Sequence, residues 1–201
     1  MTETKDLRYN SGDGFQTAAW GPPLWHFLHT IGFNYPVRPT EAQKRQYARF
    51  VKALGNVLPC VHCRNNYQNN LRSVGFGYDV FESRRTFGEF VYRLHQEVNR
   101  MLNKSYDQCF NDVRNLYECF RSKCSGNTAP PPGQLENGCV VPLRGRKVRC
   151  HLMFKPRSDT TSNETRPSLW VDPAIRQANR APTPTARARA ARRWLARGRL
   201  A

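Results

Sequence analysis

Four stretches of the chain repeat apolar side chains at intervals of three and four residues, the spacing that lines up one face of an α-helix. Leu24, Leu28, Ile31 and Tyr35 make the first, which Tyr35-Pro36 should end. Tyr47, Phe50, Val51, Leu54, Val57 and Leu58 make the second, opened by a Thr40/Gln43 capping pattern. Phe87, Phe90, Val91, Leu94, Val98, Met101 and Leu102 make the strongest, behind a Thr86/Glu89 capping pattern. Val113, Leu116, Tyr117 and Phe120 make a short one over residues 111–121. Pro59 closes the second helix and opens another over 60–71, because proline is tolerated where its missing N–H would be unpaired anyway. On the same ground Trp20-Gly21-Pro22-Pro23 reads as the start of the first helix, with residues 1–19 as a mobile lead-in. The Gly- and aromatic-rich segment 72–85 reads as a loop, and no strand-like alternation occurs in residues 1–126. The predicted fold is all-α, a small four-helix bundle plus a short fifth helix, followed by a largely irregular basic C-terminal extension.

Composition shifts behind the bundle. Pro130-Pro131-Pro132 marks a linker, and residues 156–186 are rich in Pro, Ser, Thr and Asn, a composition too poor in apolar surface to order itself. The net charge of +17 divides unevenly, +6 up to residue 126 and +11 beyond it. The chain therefore divides into a flexible N-terminus (1–17), a helical domain (18–125), a Pro-rich linker (126–138) and a basic, mostly disordered extension (139–201). Within the extension, Cys139 and Cys150 can close a hairpin about Arg144-Gly145-Arg146. No stretch approaches the roughly 20 apolar residues that span a bilayer, and residues 1–14 lack the apolar middle of a signal peptide, so no membrane span and no classical secretion are expected. The compartment is otherwise open. Seven cysteines are many for a chain without such a signal, and a protein that makes or moves disulfides would reconcile the two.

Two of those cysteines stand two residues apart in Pro59-Cys60-Val61-His62-Cys63, at a predicted helix start. Unpaired N–H groups and the helix dipole favour a thiolate there. Such a pair exchanges disulfides, supplies half of a metal site, or is inert. A zinc site would draw its other ligands from Cys119 and Cys124, with Cys109, His62 or His95 in reserve, and would make the chain a zinc-stabilised interaction module with a nucleic-acid-binding tail. Zinc explains none of the aromatic and histidine residues on the first and fourth helices. A flat aromatic cofactor does: Trp25 and His29, four residues apart, can wall a slot with His95 and Asn99, while Arg100 and Lys104 follow along the helix to meet phosphates.

Leu24-Trp25-His26-Phe27-Leu28-His29-Thr30, then Tyr35-Pro36, then Pro59-Cys60-Val61-His62-Cys63, then Leu94-His95-Gln96-Glu97-Val98-Asn99 running on to Lys104 resemble the Erv/ALR family of FAD-linked sulfhydryl oxidases. The agreement in order and spacing covers residues 18–124, about half of the chain. The resemblance implies a helical bundle holding FAD, with no metal, and with Gly21, Trp25, His29, Tyr35, His95, Asn99 and Lys104 at cofactor positions. It further implies Cys63 as the flavin-proximal thiolate and Cys60 as the sulfur that exchanges with substrate. Protein thiols would be the electron donors, O2 the acceptor and hydrogen peroxide the product, in a protein that commonly dimerises. The family works in the mitochondrial intermembrane space, in the secretory pathway and in large DNA viruses that assemble in the cytosol.

Two features depart from that pattern. The family's bridge between the fourth helix and the next cannot form, since Cys109 has Tyr92 at its partner position. Cys119 and Cys124 then resemble a C-terminal shuttle that carries electrons to the core dithiol; alternatively, Cys109 pairs with one of them and pins the fifth helix. The arginine-rich segment 187–199, with Trp194, lies outside the family pattern and suits nucleic acid or an acidic partner, or is a solvated tail.

Overall fold

The computed structural model describes residues 12–105, 107–123, 138–143 and 148. Five helices carry the fold: α1 (Thr17–Asn34), α2 (Glu41–Val57), α3 (Val61–Ser73), α4 (Arg84–Met101) and α5 (Phe110–Glu118), with a 3-10 turn at Tyr78–Phe81. The expected all-α architecture of four helices and a short fifth is the one observed.

Local chemistry explains where these helices begin. The Thr40 hydroxyl accepts the Gln43 N–H and the Gln43 side chain accepts the Thr40 N–H, so the expected capping box opens α2. α1 begins at Thr17, three residues before the expected start, and carries Pro22 and Pro23 inside it. The helical donors these prolines lack would have met the Ala18 and Ala19 carbonyls, which belong to exposed residues open to water. α4 also begins earlier than its sequence pattern suggests. Ser83 is its N-cap, exchanging side-chain and main-chain hydrogen bonds with Thr86, while Glu89 pairs with Arg85 at 2.9 Å. The preceding segment is more than a loop, because its 3-10 turn buries Val80 and Phe81. Lys44 of α2 holds that turn through Glu82 at 2.7 Å.

The core is aromatic. Tyr35, Phe81, Phe87 and Phe90 are almost wholly buried, and Tyr35 meets Tyr47 edge-on at 4.6 Å between ring centres. α1 and α4 form the most extensive helix pair, and two glycines set their separation: a Cβ on Gly32 would meet the Gly88 Cα at 3.6 Å and a Val91 methyl at 3.4 Å. The pair runs antiparallel, so the turns of α1 before Gly32 face the turns of α4 beyond Gly88.

Residues 12–118 lie in one compact unit, and the described residues from Cys119 onward lie in another. In the second, β1 (Ser122–Lys123) pairs antiparallel with β2 (Val141–Pro142), Ser122 opposite Pro142. Cys139 is disulfide-bonded. The sequence reading pairs the segment around Val141 within 139–150; here it pairs with Ser122–Lys123, and the other arm of that hairpin, Cys150 included, lies outside the described residues apart from Val148. The linker, the first eleven residues and the arginine-rich end also lie outside them. No described helix is long and apolar enough to cross a membrane.

Gly55 of α2 is a second close approach, since a Cβ there would collide with the Tyr67 ring of α3, whose hydroxyl is held by the Val51 carbonyl at 2.8 Å. Gly55→Ala should therefore destabilise the domain by about 1–3 kcal/mol, the usual cost of overpacking a filled site. Thermal denaturation should show a melting point several degrees lower; an unchanged value would mean that Tyr67 yields freely.

Candidate active site

The dithiol sits where α2 gives way to α3. Cys60 is the N-cap of α3 in extended conformation, and its Sγ accepts the Cys63 N–H at 3.2 Å. Both cysteines are thiols and half-buried. The unpaired N–H of the first turn thus supports the sulfur of Cys60. Cys63, which packs against the hydrophobic core, has its thiol pushed up to about 12, first by burial and then by its hydrogen bond with Cys60. Burial thus opposes ionisation at Cys63, where the resemblance implies a thiolate. A side chain that precedes a helix can turn back onto its N–H groups, as that of Cys60 does onto the Cys63 N–H.

Across the bundle, the antiparallel α1–α4 pair brings Trp25, His29 and His95 together. The Trp25 and His95 rings stack with centres 4.1 Å apart and planes 11° apart, and His29 Nε2 lies 3.0 Å from His95 Nδ1. Only one proton can occupy that contact. Burial lowers His29 to about 3, helped by the neighbouring His95, and burial with the nearby Lys104 charge lowers His95 to about 4. Both rings are therefore neutral at pH 7. Asn99 is buried one turn beyond His95, and the Lys104 N–H donates to its carbonyl at 3.0 Å. His29 Nδ1 is buried and finds no hydrogen-bond partner among the described residues.

The structure thus gathers Trp25, His29, His95, Asn99 and Lys104 of the expected set on the α1–α4 face. Gly21 lies one turn before Trp25 on α1, where an added Cβ would meet nothing within 4 Å. Tyr35 stands apart: it is fully buried in the core, and its hydroxyl donates to the Phe81 carbonyl at 2.8 Å. Arg100 is held by Glu97 in a two-pronged ion pair at 2.8–2.9 Å. Cys109 is an exposed thiol, so the expected pin through it is not formed; Cys119 is a thiol as well, and Cys124 lies outside the described residues. Among the described residues, no group of three or more His, Cys, Asp and Glu side chains is placed to hold a metal ion, which leaves the zinc reading without a ligand set there.

Residues 22–120 match the sequence model of the Erv1/Alr family. They are an Erv1/Alr domain. A probable FAD-linked sulfhydryl oxidase of Acanthamoeba polyphaga mimivirus is 34% identical over 85 residues, 42% of this chain and 59% of the relative. An FAD-linked sulfhydryl oxidase of Arabidopsis thaliana is 31% identical over 106 residues, 52% of this chain and 54% of the relative. A mitochondrial FAD-linked sulfhydryl oxidase of Saccharomyces cerevisiae is 28% identical over 89 residues, 44% of this chain and 46% of the relative. The chain thus spans about half the length of these curated relatives.

Two contributors to the candidate site escaped the sequence reading. His26 Nδ1 lies 3.2 Å from the Tyr117 hydroxyl, and the Tyr117 ring lies 5.3 Å from that of His29, so α5 closes the histidine pair from one side. Tyr117 is legible in sequence only as one more apolar position on α5. Arg64 donates to the Leu58 carbonyl at 2.6 Å and to the Gly12 carbonyl at 3.1 Å, clamping the approach to the dithiol from both sides. No spacing in the sequence links residues 12 and 64.

The histidine pair makes the domain acid-labile. An unfolded histidine takes up a proton near pH 6.5, whereas the folded pair does so only near 4 and 3, so the unfolded state binds more protons in between. Stability should be full above pH 6.5 and fall as the pH drops towards 4, by about 1.4 kcal/mol per pH unit for each histidine. Denaturant titrations of the wild type and of a His29→Gln, His95→Gln double variant check this. A wild-type curve no steeper than that of the variant would contradict the neutral pair.

Proposed function

We propose that the chain is a flavin-linked thiol oxidase that forms disulfide bonds in protein substrates. The observation that carries this reading is the pairing, in one Erv1/Alr domain, of a Cys-x-x-Cys dithiol at the α3 N-terminus with a ring-lined α1–α4 face. FAD is the proposed cofactor, and the residues present fit it. His29 Nδ1 is a buried polar atom in want of a partner, Trp25 and His95 offer parallel ring planes, and Gly21 leaves room along α1. Trp25, His29, His95 and Asn99 would hold its rings, and Lys104 its phosphates. Tyr35, a family cofactor position by resemblance, would act from beneath by fixing the end of α1.

In the proposed cycle, two substrate thiols lose two electrons and two protons to become a disulfide, and the Cys60–Cys63 disulfide is reduced to the dithiol. Cys60 exchanges with the substrate, because its sulfur caps the helix outside the core. Cys63 packs inward and delivers the electrons. FAD, when bound, supplies a two-electron acceptor that the dithiol reduces and O2 reoxidises, with hydrogen peroxide as product. Cys119 and Cys124 are the proposed relay for bulky substrates. A homodimer, and binding of nucleic acid or an acidic partner by the 187–199 segment, complete the reading. Relatives include mitochondrial and viral proteins, so the mitochondrial intermembrane space and the cytoplasm of an infected cell are the compartments it fits.

The purified chain should be yellow and consume oxygen when given a dithiol. Cys63→Ser should abolish that consumption while the flavin absorbance stays. A colourless wild type, or oxygen uptake retained by the variant, would sink the proposal.

A further inference from the structure

The segment before α1 is expected to be mobile, yet it lies across the dithiol. The Phe15 N–H donates to the Pro59 carbonyl at 2.8 Å and the Val61 N–H donates to the Asp13 carbonyl at 2.9 Å, so Gly14 and Cys60 face each other in an antiparallel bridge. Trp20 Nε1 ties the segment back to α1 through the Phe15 carbonyl at 3.1 Å, and Arg64 holds the Gly12 carbonyl. Every one of these bonds is accepted or donated by the segment's main chain. Residues 12–15 are all exposed, and Phe15, the one large apolar side chain among them, keeps 78% of its surface. These main-chain bonds dock the segment, which gains little from burial.

We propose that the main-chain edge Pro59–Val61 is the docking edge for an extended, cysteine-bearing substrate polypeptide, and that residues 12–15 are a displaceable strap occupying it. The proposal rests on the thiol-oxidase reading and names the conformation and register of its substrate. The bonds flank the Gly14–Cys60 pair rather than join it, which makes it a non-hydrogen-bonded pair, where Cα atoms lie about 4.5 Å apart and side chains are closest. Disulfides need Cα separations of roughly 4.4–6.8 Å. A substrate cysteine opposite Cys60 that takes the ordinary negative φ of an extended strand, in place of the +109° at which a Cβ would strike the Pro59 carbonyl, is thus in reach of Cys60, with its own following N–H on that carbonyl. Recognition through the main chain is indifferent to neighbouring side chains, the mode by which extended segments add to a free edge.

Gly14 is also the point at which the strap can be released. Its φ of +109° is one that L side chains rarely adopt, and an added Cβ would collide with the Pro59 carbonyl. The strap is tied to α1 through Trp20 and has less freedom than a free peptide to turn to a negative φ, so Gly14→Val should free the edge. Hydrogen exchange of the Phe15 and Val61 amides in the full chain should accelerate to near free-peptide rates, with the melting point unchanged, since the strap buries no core residue. A short Gly/Ser peptide carrying one serine in place of cysteine, added in excess to the variant, should restore protection at Val61.

Turnover supplies the second arm. The variant should oxidise the cysteine form of that peptide several-fold faster than the wild type, and methylating the amide nitrogen after the cysteine should cost about fivefold in kcat/KM, the effect of one lost hydrogen bond. Methylation four residues away should cost nothing. Unchanged amide exchange in Gly14→Val, no protection by the serine peptide, or equal rates for the two methylated peptides would overturn the proposal. A chain that shows the exchange effects but neither flavin nor turnover would refute the oxidase reading and leave the docking edge standing; Arg64→Gln, which loosens the strap without a new side chain, repeats the exchange test should Gly14→Val fail to fold.

Discussion

The close crossing of α1 and α4 at Gly32 and Gly88 is the constraint on which the site depends. Larger side chains there would push the helices apart, and the turns on either side would lose contact. Because the pair is antiparallel, the crossing fixes His29 against His95 and Trp25 flat on His95. That proximity carries a cost. Two imidazoles removed from water and facing each other cannot both be charged, and burial keeps the pair neutral far below the usual histidine range. Tyr117 and His26 then cover the flank, joining α5 to the same cluster.

The dithiol is set by a different device. A cysteine at the N-cap receives an N–H from the helix, while a cysteine three residues on is turned toward the core. Sequence spacing alone makes the two sulfurs look alike. The fold separates them into an outward sulfur held by a hydrogen bond and an inward one kept protonated by burial. A pair arranged in this way has a direction, which suits a relay that takes electrons on one side and passes them on at the other.

What the sequence reveals and what it hides follow from where the signal resides. The apolar stripes of α2 and α4 report buried faces, so their existence and the bundle were legible. The Thr40/Gln43 box was legible because no competing cap stands near it; at α4 two capping patterns overlap, and the earlier, Ser83 with Thr86, wins because the 3-10 turn before it ends there. Trp25, His29 and His95 were legible as a group because helical spacing puts them on facing stripes. Tyr35 was read both as the last position of the first apolar stripe and through family position; the packing bears out the stripe, with the ring enclosed by Tyr47 and Phe87. β1 and β2, of two residues each, are too short to leave an alternation.

The strap at residues 12–15 marks the limit of that legibility. Gly12, Asp13 and Gly14 look like a disordered lead-in because they bring no apolar stripe; the carbonyl and amide groups that dock them are common to every residue. The same indifference makes the edge useful. A slot for the proposed cofactor must discriminate, and its proposed walls are rings and an amide fixed on rigid helices. An edge proposed to take cysteine segments of varied sequence must not, and main-chain pairing beside Cys60 meets that need with a geometry already suited to a disulfide. The two ends of the proposed electron path are thus specified by different parts of the polypeptide, side chains at the acceptor and backbone at the donor.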